Sequence, residues 1–233
     1  MQTIKYALKK TFPIFCGYLF LGFAFGILLA DAGYSWVWAL ACSALIYAGS
    51  MQFVLVSFLA SGAPLSTVLI MTLLINGRHI FYGLSFIDRY RKAGKFYPYL
   101  VFSLTDETYS MLCSAQHPEN VDPRRADFFI SLFDHFYWIL GSLLGCVAGQ
   151  LVPIDFTGID FTMTALFIVI FIEQWKTYKP HVPAVTGGAC ALLSLVLFGP
   201  DNFLLPALGA AVAILLGARR YIAARMPKEG DAA

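Results

Sequence analysis

The sequence predicts an all-α, polytopic helical membrane protein, on three observations. The 233 residues are 59% hydrophobic and only 13% charged, against about 25% charged in a typical soluble domain. Mean hydropathy is +0.71, and from Thr11 to Gly77 the only formal charge is Asp31. The charge-poor segments are long enough to cross a bilayer as helices and lack the alternation of outer-membrane strands, so a helical bundle is the structure that satisfies the backbone in lipid. A single membrane domain over 1–233 is expected. Net charge is +2 with no basic stripe interleaved with aromatics, so nucleic acid is not an expected partner.

The chain begins with Lys5, Lys9 and Lys10, followed by an uncharged run over 11–30. No convincing small-residue cleavage site ends that run and further apolar segments follow, so it reads as the first span and not as a secretory signal. Apolar segments then run at about 36–59, 65–86, 97–115, 128–151, 161–175, 182–198 and 203–218, which makes about seven or eight membrane segments. Turn chemistry separates them at Asp31-Ala32-Gly33, Ser61-Gly62-Ala63-Pro64, His117-Pro118-Glu119-Asn120 and Gly199-Pro200-Asp201-Asn202. Polar loops lie at 88–95 and 116–127. All five cysteines (Cys16, Cys42, Cys113, Cys146, Cys190) sit within apolar segments at no metal-ligand or redox spacing, so they read as packing residues, with no disulfide framework.

Two halves, about 1–115 and 124–225, look alike at an offset of about 120 residues, the kind of duplication that builds many transporter interiors. Tyr18, Gly22 and Gly26 correspond to Tyr137, Gly141 and Gly145, Gln52 to Gln174 and, roughly, Pro64 to Pro183.

Basic residues in short loops set orientation. Lys5, Lys9 and Lys10 place the N-terminus inside, as Arg219, Arg220, Arg225 and Lys228 place the C-terminus, while Asp31, Asp155, Asp160 and Asp201 mark outside loops. One loop disagrees: Arg89, Arg91, Lys92 and Lys95 fall outside if every preceding segment crosses once. The conflict vanishes if the segment containing Ala48-Gly49-Ser50-Met51-Gln52 is broken and re-entrant. A straight helix that weakly violates the rule is the other reading.

The strongest chemical signal is L-L-I-N-G-R-H-I-F-Y-G-L-S at 73–85, which sets Arg78 and His79 inside an apolar run. At about 1.5 Å per helical residue, Arg78 lies roughly 20 Å from one end of 65–86 and roughly 12 Å from the other. An ionisable group at that depth costs several kcal/mol unless it faces a protein interior or a wet cavity; the bland alternative is snorkelling to the interface. On a continuous helix Asn76, His79 and Gly83 share one face, and Arg78, Tyr82 and Ser85 nearly the opposite one. One face then lines the pathway and the other pairs within the bundle. His79 is a candidate proton carrier, set against the commoner role of a hydrogen-bonded packing residue.

Gly49, Ser50 and Gln52 combine a helix-weakening glycine with two polar side chains, as expected where backbone unwinds beside a cavity. Substrate contact and simple interhelical hydrogen bonding are both open there. Asp106 and Glu107 are adjacent carboxylates in an apolar segment. They point about 100° apart on a helix, which does not make a metal clasp. One is expected to pair with Arg78, leaving the other as a proton carrier or ammonium partner. Glu173, near a segment end, reads as solvated. Gly22-x-x-x-Gly26, with Gly141, Gly145 and Gly149, offers flat strips for close helix approach.

The stretches G-Y-L-F-L-G-F-A-F-G-I-L (17–28), I-Y-A-G-S-M-Q-F-V (46–54), 73–85 and S-L-T-D-E-T-Y (103–109) resemble the AzlC family of branched-chain amino acid exporters, the large subunit of a two-component system. The resemblance covers most of the N-terminal half; the C-terminal half matches mainly in hydropathy. It implies export of leucine, isoleucine, valine and related apolar amino acids, with methionine a further candidate, across a bacterial inner membrane. It also implies a small AzlD-type membrane subunit as partner.

Such a substrate needs an apolar pocket, donors for its carboxylate and acceptors for its ammonium. Gly49, Ser50, Gln52, Asn76, Arg78 and Tyr82 are the candidate binding residues, and His79, Asp106 and Glu107 the candidates for proton or ion coupling. No cofactor is expected, and without a nucleotide-binding loop an ion gradient is the default energy source. The rivals are an intramembrane enzyme using Ser50 or His79 with Asp106, for which no G-x-S-x-G or H-E-x-x-H motif occurs, and a non-transporting assembly subunit.

Overall fold

A computed structural model describes residues 2–113, 115, 117–151, 161, 164–165, 168, 171–172, 175, 181–199 and 203–223. Among the described residues every regular element is helical. The chain divides into two compact units, Met1–Met163 and Thr164–Ala233. The second contains α8 (Val182–Phe198) packed on α9 (Leu204–Ala223). Gln174 and Glu173, to which the sequence reading gave a repeat match and a solvated position, lie outside the described residues.

The first unit is built on α1 (Gln2–Asp31) and α7 (Pro123–Leu151), each long and apolar enough to cross a membrane. They run parallel, because their contacts advance together along both chains. Gly22 lies against Trp138 and Gly141, Gly26 against Ser142 and Gly145, and Gly149 against Ala30. The glycines that match across the two halves of the sequence are thus the ones that meet. A Cβ on Gly22 would stand 2.9 Å from the Trp138 carbonyl oxygen, and one on Gly141 2.8 Å from that of Leu19. Only residues without side chains allow backbones this close, and in lipid such van der Waals packing is the main force between helices.

Between these two helices lie one bent helix and two folded-back pairs. The first pair is α2 (Trp36–Ala41), extended by a π-turn over Cys42–Ile46, and α3 (Gly49–Ser61). It starts beside the C-terminal end of α7, where Gln150 Nε2 donates to the Tyr34 carbonyl at 3.1 Å. At mid-depth His135 Nε2 lies 3.1 Å from the Ser43 carbonyl. The chain then returns, for Ser57 and Ala60 line a cavity with Leu28, Asp31 and Ala32 at the end of α1. Both ends of the pair therefore lie at the α1 C-terminal end, as a re-entrant segment requires. The break falls at Tyr47-Ala48, two residues before the glycine from which the sequence reading argued it. Tyr47 adopts φ 43°, a left-handed conformation rare for a bulky residue, and is held by its ring 4.2 Å from that of His135.

Next, α4 (Leu65–Arg91) runs the length of the unit antiparallel to α1, bending by 50° between Ile80 and Tyr82. Its far end, Phe86 and Tyr90, packs with Ala7 and Ile130 near the starts of α1 and α7. Arg89 fixes that end: Nε and Nη2 donate to the two Asp127 oxygens at 2.7 Å each, and Nη1 donates to the Leu112 carbonyl at 2.7 Å.

The second pair enters from this opposite end. After a single 3₁₀ turn at Gly94–Phe96 comes α5 (Tyr97–Phe102), which rises from Phe128, and α6 (Asp106–Cys113), which descends to Leu112 beside Arg89. The basic loop at 88–95 therefore shares its end of the bundle with the N-terminus, as the re-entrant reading required. Three of the expected segments are long helices here, and two, at 36–59 and 97–115, are folded-back pairs. Two described helices meet the length and apolarity of a span outright, with bent α4 a third. The structure does not establish seven or eight crossings.

Candidate functional site

The two folded-back pairs meet at mid-depth, where Tyr47 from one break and Phe102 beside the other have ring centroids 6.4 Å apart. Each break starts a new helix there, so the first-turn N–H groups of α3 and α6 lack intrahelical acceptors. Thr105 caps α6, its Oγ1 accepting from the Thr108 N–H at 3.3 Å. Asp106 and Glu107 occupy the first turn, where the helix dipole favours negative charge.

Arg78 bridges the two breaks. Its Nη2 donates to Ser50 Oγ at 2.9 Å and pairs with Asp106 Oδ2 at 2.8 Å. The guanidinium therefore does not snorkel, and Asp106 is the partner that the sequence left undecided. The pair's side chains are 23% and 26% exposed, so the described residues leave one side of this ion pair uncovered. Arg78 Nε, Asp106 Oδ1 and Asn76 Oδ1 have no hydrogen-bond partner among the described residues. Arg78 Nε and Asp106 Oδ1 thus leave one donor and one acceptor over at the junction, while Asn76 lies on the other face of α4.

The remaining predicted residues are placed as follows. Gly49 opens α3 against Trp138, whose ring would stand 3.1 Å from an added Cβ. Gln52 is fully buried and its Oε1 accepts from Trp138 Nε1 at 2.9 Å. Glu107 is an exposed residue whose carboxyl turns inward, its Oε2 accepting from the Tyr18 hydroxyl at 2.7 Å. Tyr82 stacks on Tyr109 at 4.5 Å, and Ser85 Oγ donates to the Tyr109 hydroxyl at 3.3 Å. The Arg78, Tyr82 and Ser85 face of α4 is therefore the one that packs on α6. On the other face, His79 Nδ1 lies 3.1 Å from the Asn76 carbonyl. Ser50 Oγ accepts from Arg78, and no hydrogen bond joins it to His79 among the described residues.

Sequence reasoning missed half of the polar core. Asp134 is fully buried and His135 nearly so, and both sit well inside the apolar stretch of α7. The depth test that singled out Arg78 applies equally to them and would have found them. Thr108 Oγ1 donates to Asp134 Oδ2 at 2.9 Å, and the Tyr99 hydroxyl lies 3.0 Å from His135 Nδ1. Tyr18, read only as a repeat match, touches both Glu107 and Thr105 Oγ1, each at 2.7 Å. No group of three or more metal-ligating side chains occurs among the described residues.

Comparison with known proteins adds the family. The chain is 44% identical over 214 residues to the branched-chain amino acid transport protein AzlC of Bacillus subtilis, covering 92% of this chain and 84% of that protein. It is 42% identical over 222 residues to an uncharacterized membrane protein of Helicobacter pylori strain J99, covering 95% and 97%. Over 198 residues it is 27% identical to the inner membrane protein YgaZ of Escherichia coli, covering 80% of each. No solved structure matches. The model of the family described as AzlC protein matches residues 13–152, the stretch that holds both helix breaks and both glycine-faced helices, and this membrane protein belongs to that family.

Proposed function

We propose that the protein is a secondary transporter that exports branched-chain and related apolar amino acids across the bacterial inner membrane. It works with a small AzlD-type subunit and draws on a proton or ion gradient. The observation that carries this reading is the junction of two helix breaks around a half-buried Arg78–Asp106 pair, in a chain 44% identical to a branched-chain amino acid transport protein. A zwitterion needs donors at one end and acceptors at the other. Arg78 with the N–H groups of Gly49 and Ser50 supplies the first, and Asp106 and Glu107 the second. Gln52 and Tyr82 border the same junction, and Asn76 and His79 lie on the other face of α4, where His79 follows Arg78 about 100° round the helix.

Cells that produce this chain together with the small subunit are expected to lose preloaded leucine faster than cells with neither, and to tolerate toxic leucine analogues. Equal efflux in the two strains overturns the reading.

In the same reading the N-terminus and the basic loop at 88–95 face the cytoplasm. Single cysteines placed in that loop, in a background lacking the native five, should resist an impermeant thiol reagent outside intact cells and react after permeabilisation. Labelling from outside reverses the assignment.

A further inference from the structure

Glu107 and Asp134 are joined by an unbroken line of hydroxyls. Glu107 Oε2 is 2.7 Å from the Tyr18 hydroxyl, which is 2.7 Å from Thr105 Oγ1. Thr105 Oγ1 is 3.1 Å from Thr108 Oγ1, which is 2.9 Å from Asp134 Oδ2. The line starts on α6 at Glu107, crosses to Tyr18 on α1, returns through Thr105 and Thr108 at the two ends of the α6 first turn, and ends at the fully buried Asp134 on α7.

Counting hydrogens decides its state. Four oxygen–oxygen contacts need four protons, and the three hydroxyls supply one each. With both carboxylates ionised, one contact in the line must place two oxygens together with no hydrogen between them. A single extra proton, on either terminal carboxyl, satisfies every contact. If Glu107 carries it, each group donates towards Asp134; if Asp134 carries it, each donates the other way.

We propose that Glu107 and Asp134 share one proton and exchange it through Tyr18, Thr105 and Thr108, which makes this pair the proton-coupling site of the transporter. The coupling role rests on the export reading above; the shared proton does not. In the transfer, the Glu107 proton passes to the Tyr18 oxygen, the Tyr18 proton to Thr105, the Thr105 proton to Thr108 and the Thr108 proton to Asp134. Glu107 ends as carboxylate and Asp134 as acid, with no net change of charge.

The surroundings fit. Arg78 and Asp106 beside Glu107 neutralise one another, and among the described residues neither Glu107 nor Asp134 forms an ion pair of its own. Tyr47 from the first break and Tyr99 from α5 also face the pair, and His135 stands behind Tyr99, 3.0 Å from its hydroxyl. Asp134 Oδ1 has no partner among the described residues, so Thr108 is the one hydroxyl that meets this carboxyl, and it does so at Oδ2.

Infrared spectroscopy of the purified full chain in lipid tests the proposal. At pH 7 the wild type should show the carbonyl stretch of a neutral carboxylic acid. Glu107→Gln and Asp134→Asn should each remove it, because an amide N–H supplies the missing donor and the remaining carboxyl then ionises. No such band in the wild type, or a band that survives either substitution, overturns the proposal. Should Asp134→Asn not fold, Glu107→Gln, which keeps the shape of the side chain, decides alone. In liposomes holding the chain and its small subunit with a pH-sensitive dye, leucine movement should carry protons. Leucine movement without protons overturns the coupling role. No leucine movement at all overturns the export reading, and the infrared band still decides the shared proton.

Discussion

Gly145→Ala should leave little folded protein. A Cβ there would fall on the Phe23 carbonyl oxygen and 2.7 Å from the Phe23 Cα. Both are backbone atoms, so no side-chain rotation relieves the overlap and the two helices must separate. Overpacking in protein interiors costs about 1–3 kcal/mol and occasionally more. Here the obstacle is main chain, so a loss of about 3 kcal/mol or more is expected. Gly26→Ala, whose Cβ would meet the Ser142 carbonyl oxygen, should behave alike. Gly17 lies on the same helix with nothing within 4 Å of an added Cβ, so Gly17→Ala should be neutral or slightly stabilising, since alanine is the better helix former. Heating each variant in detergent and measuring the fraction that stays monodisperse separates them. Equal stability of Gly145→Ala and Gly17→Ala would sink the account.

Arg78→Ala is expected to abolish leucine export and to reduce folded protein. It leaves the Asp106 carboxylate and the Ser50 hydroxyl without their shared donor. Breaking a buried ion pair costs about 3–5 kcal/mol, and the incomplete burial of this pair places the loss at the lower end. The geometry names the compensating change: Asp106→Asn in the Arg78→Ala background should recover much of the folded yield, whereas Glu107→Gln should not. Transport stays lost in both double variants. Normal export by Arg78→Ala, measured as efflux of preloaded leucine, would remove Arg78 from the site.

The helices, the buried arginine and the glycine faces were legible because each rests on a local property: run length, charge at depth, or missing side chains. Loop charge also carried long-range information. Arg89, Arg91, Lys92 and Lys95 implied a re-entrant segment, and the first folded-back pair is that segment. The second pair went unread because Ser103-Leu104-Thr105 contains neither glycine nor proline, and Thr105 shows its capping role only through a hydrogen bond to Thr108. The choice of Asp106 over Glu107 as partner of Arg78 was likewise beyond local pattern, since it depends on where α6 begins. Asp134 differs from these: its signal was present in the sequence and was passed over among the glycines and aromatics of α7.

The tight fit of α1 on α7 also sets an order of events during synthesis. The matched glycines lie about 120 residues apart, so at about 5–20 residues per second α1 waits roughly 6–24 s after its own synthesis before its partner exists. Throughout that interval Gly22 and Gly26 face lipid or a chaperone, and Tyr18 has no aromatic neighbour on Trp138. The short half-helices arrive in the same window and cannot cross the bilayer unaided. Closing so long a loop is slow compared with local helix formation. The first unit is therefore assembled late and nearly at once, when α7 enters the membrane, and a ribosome that stalls before Gly145 leaves behind a set of inserted helices with no interior.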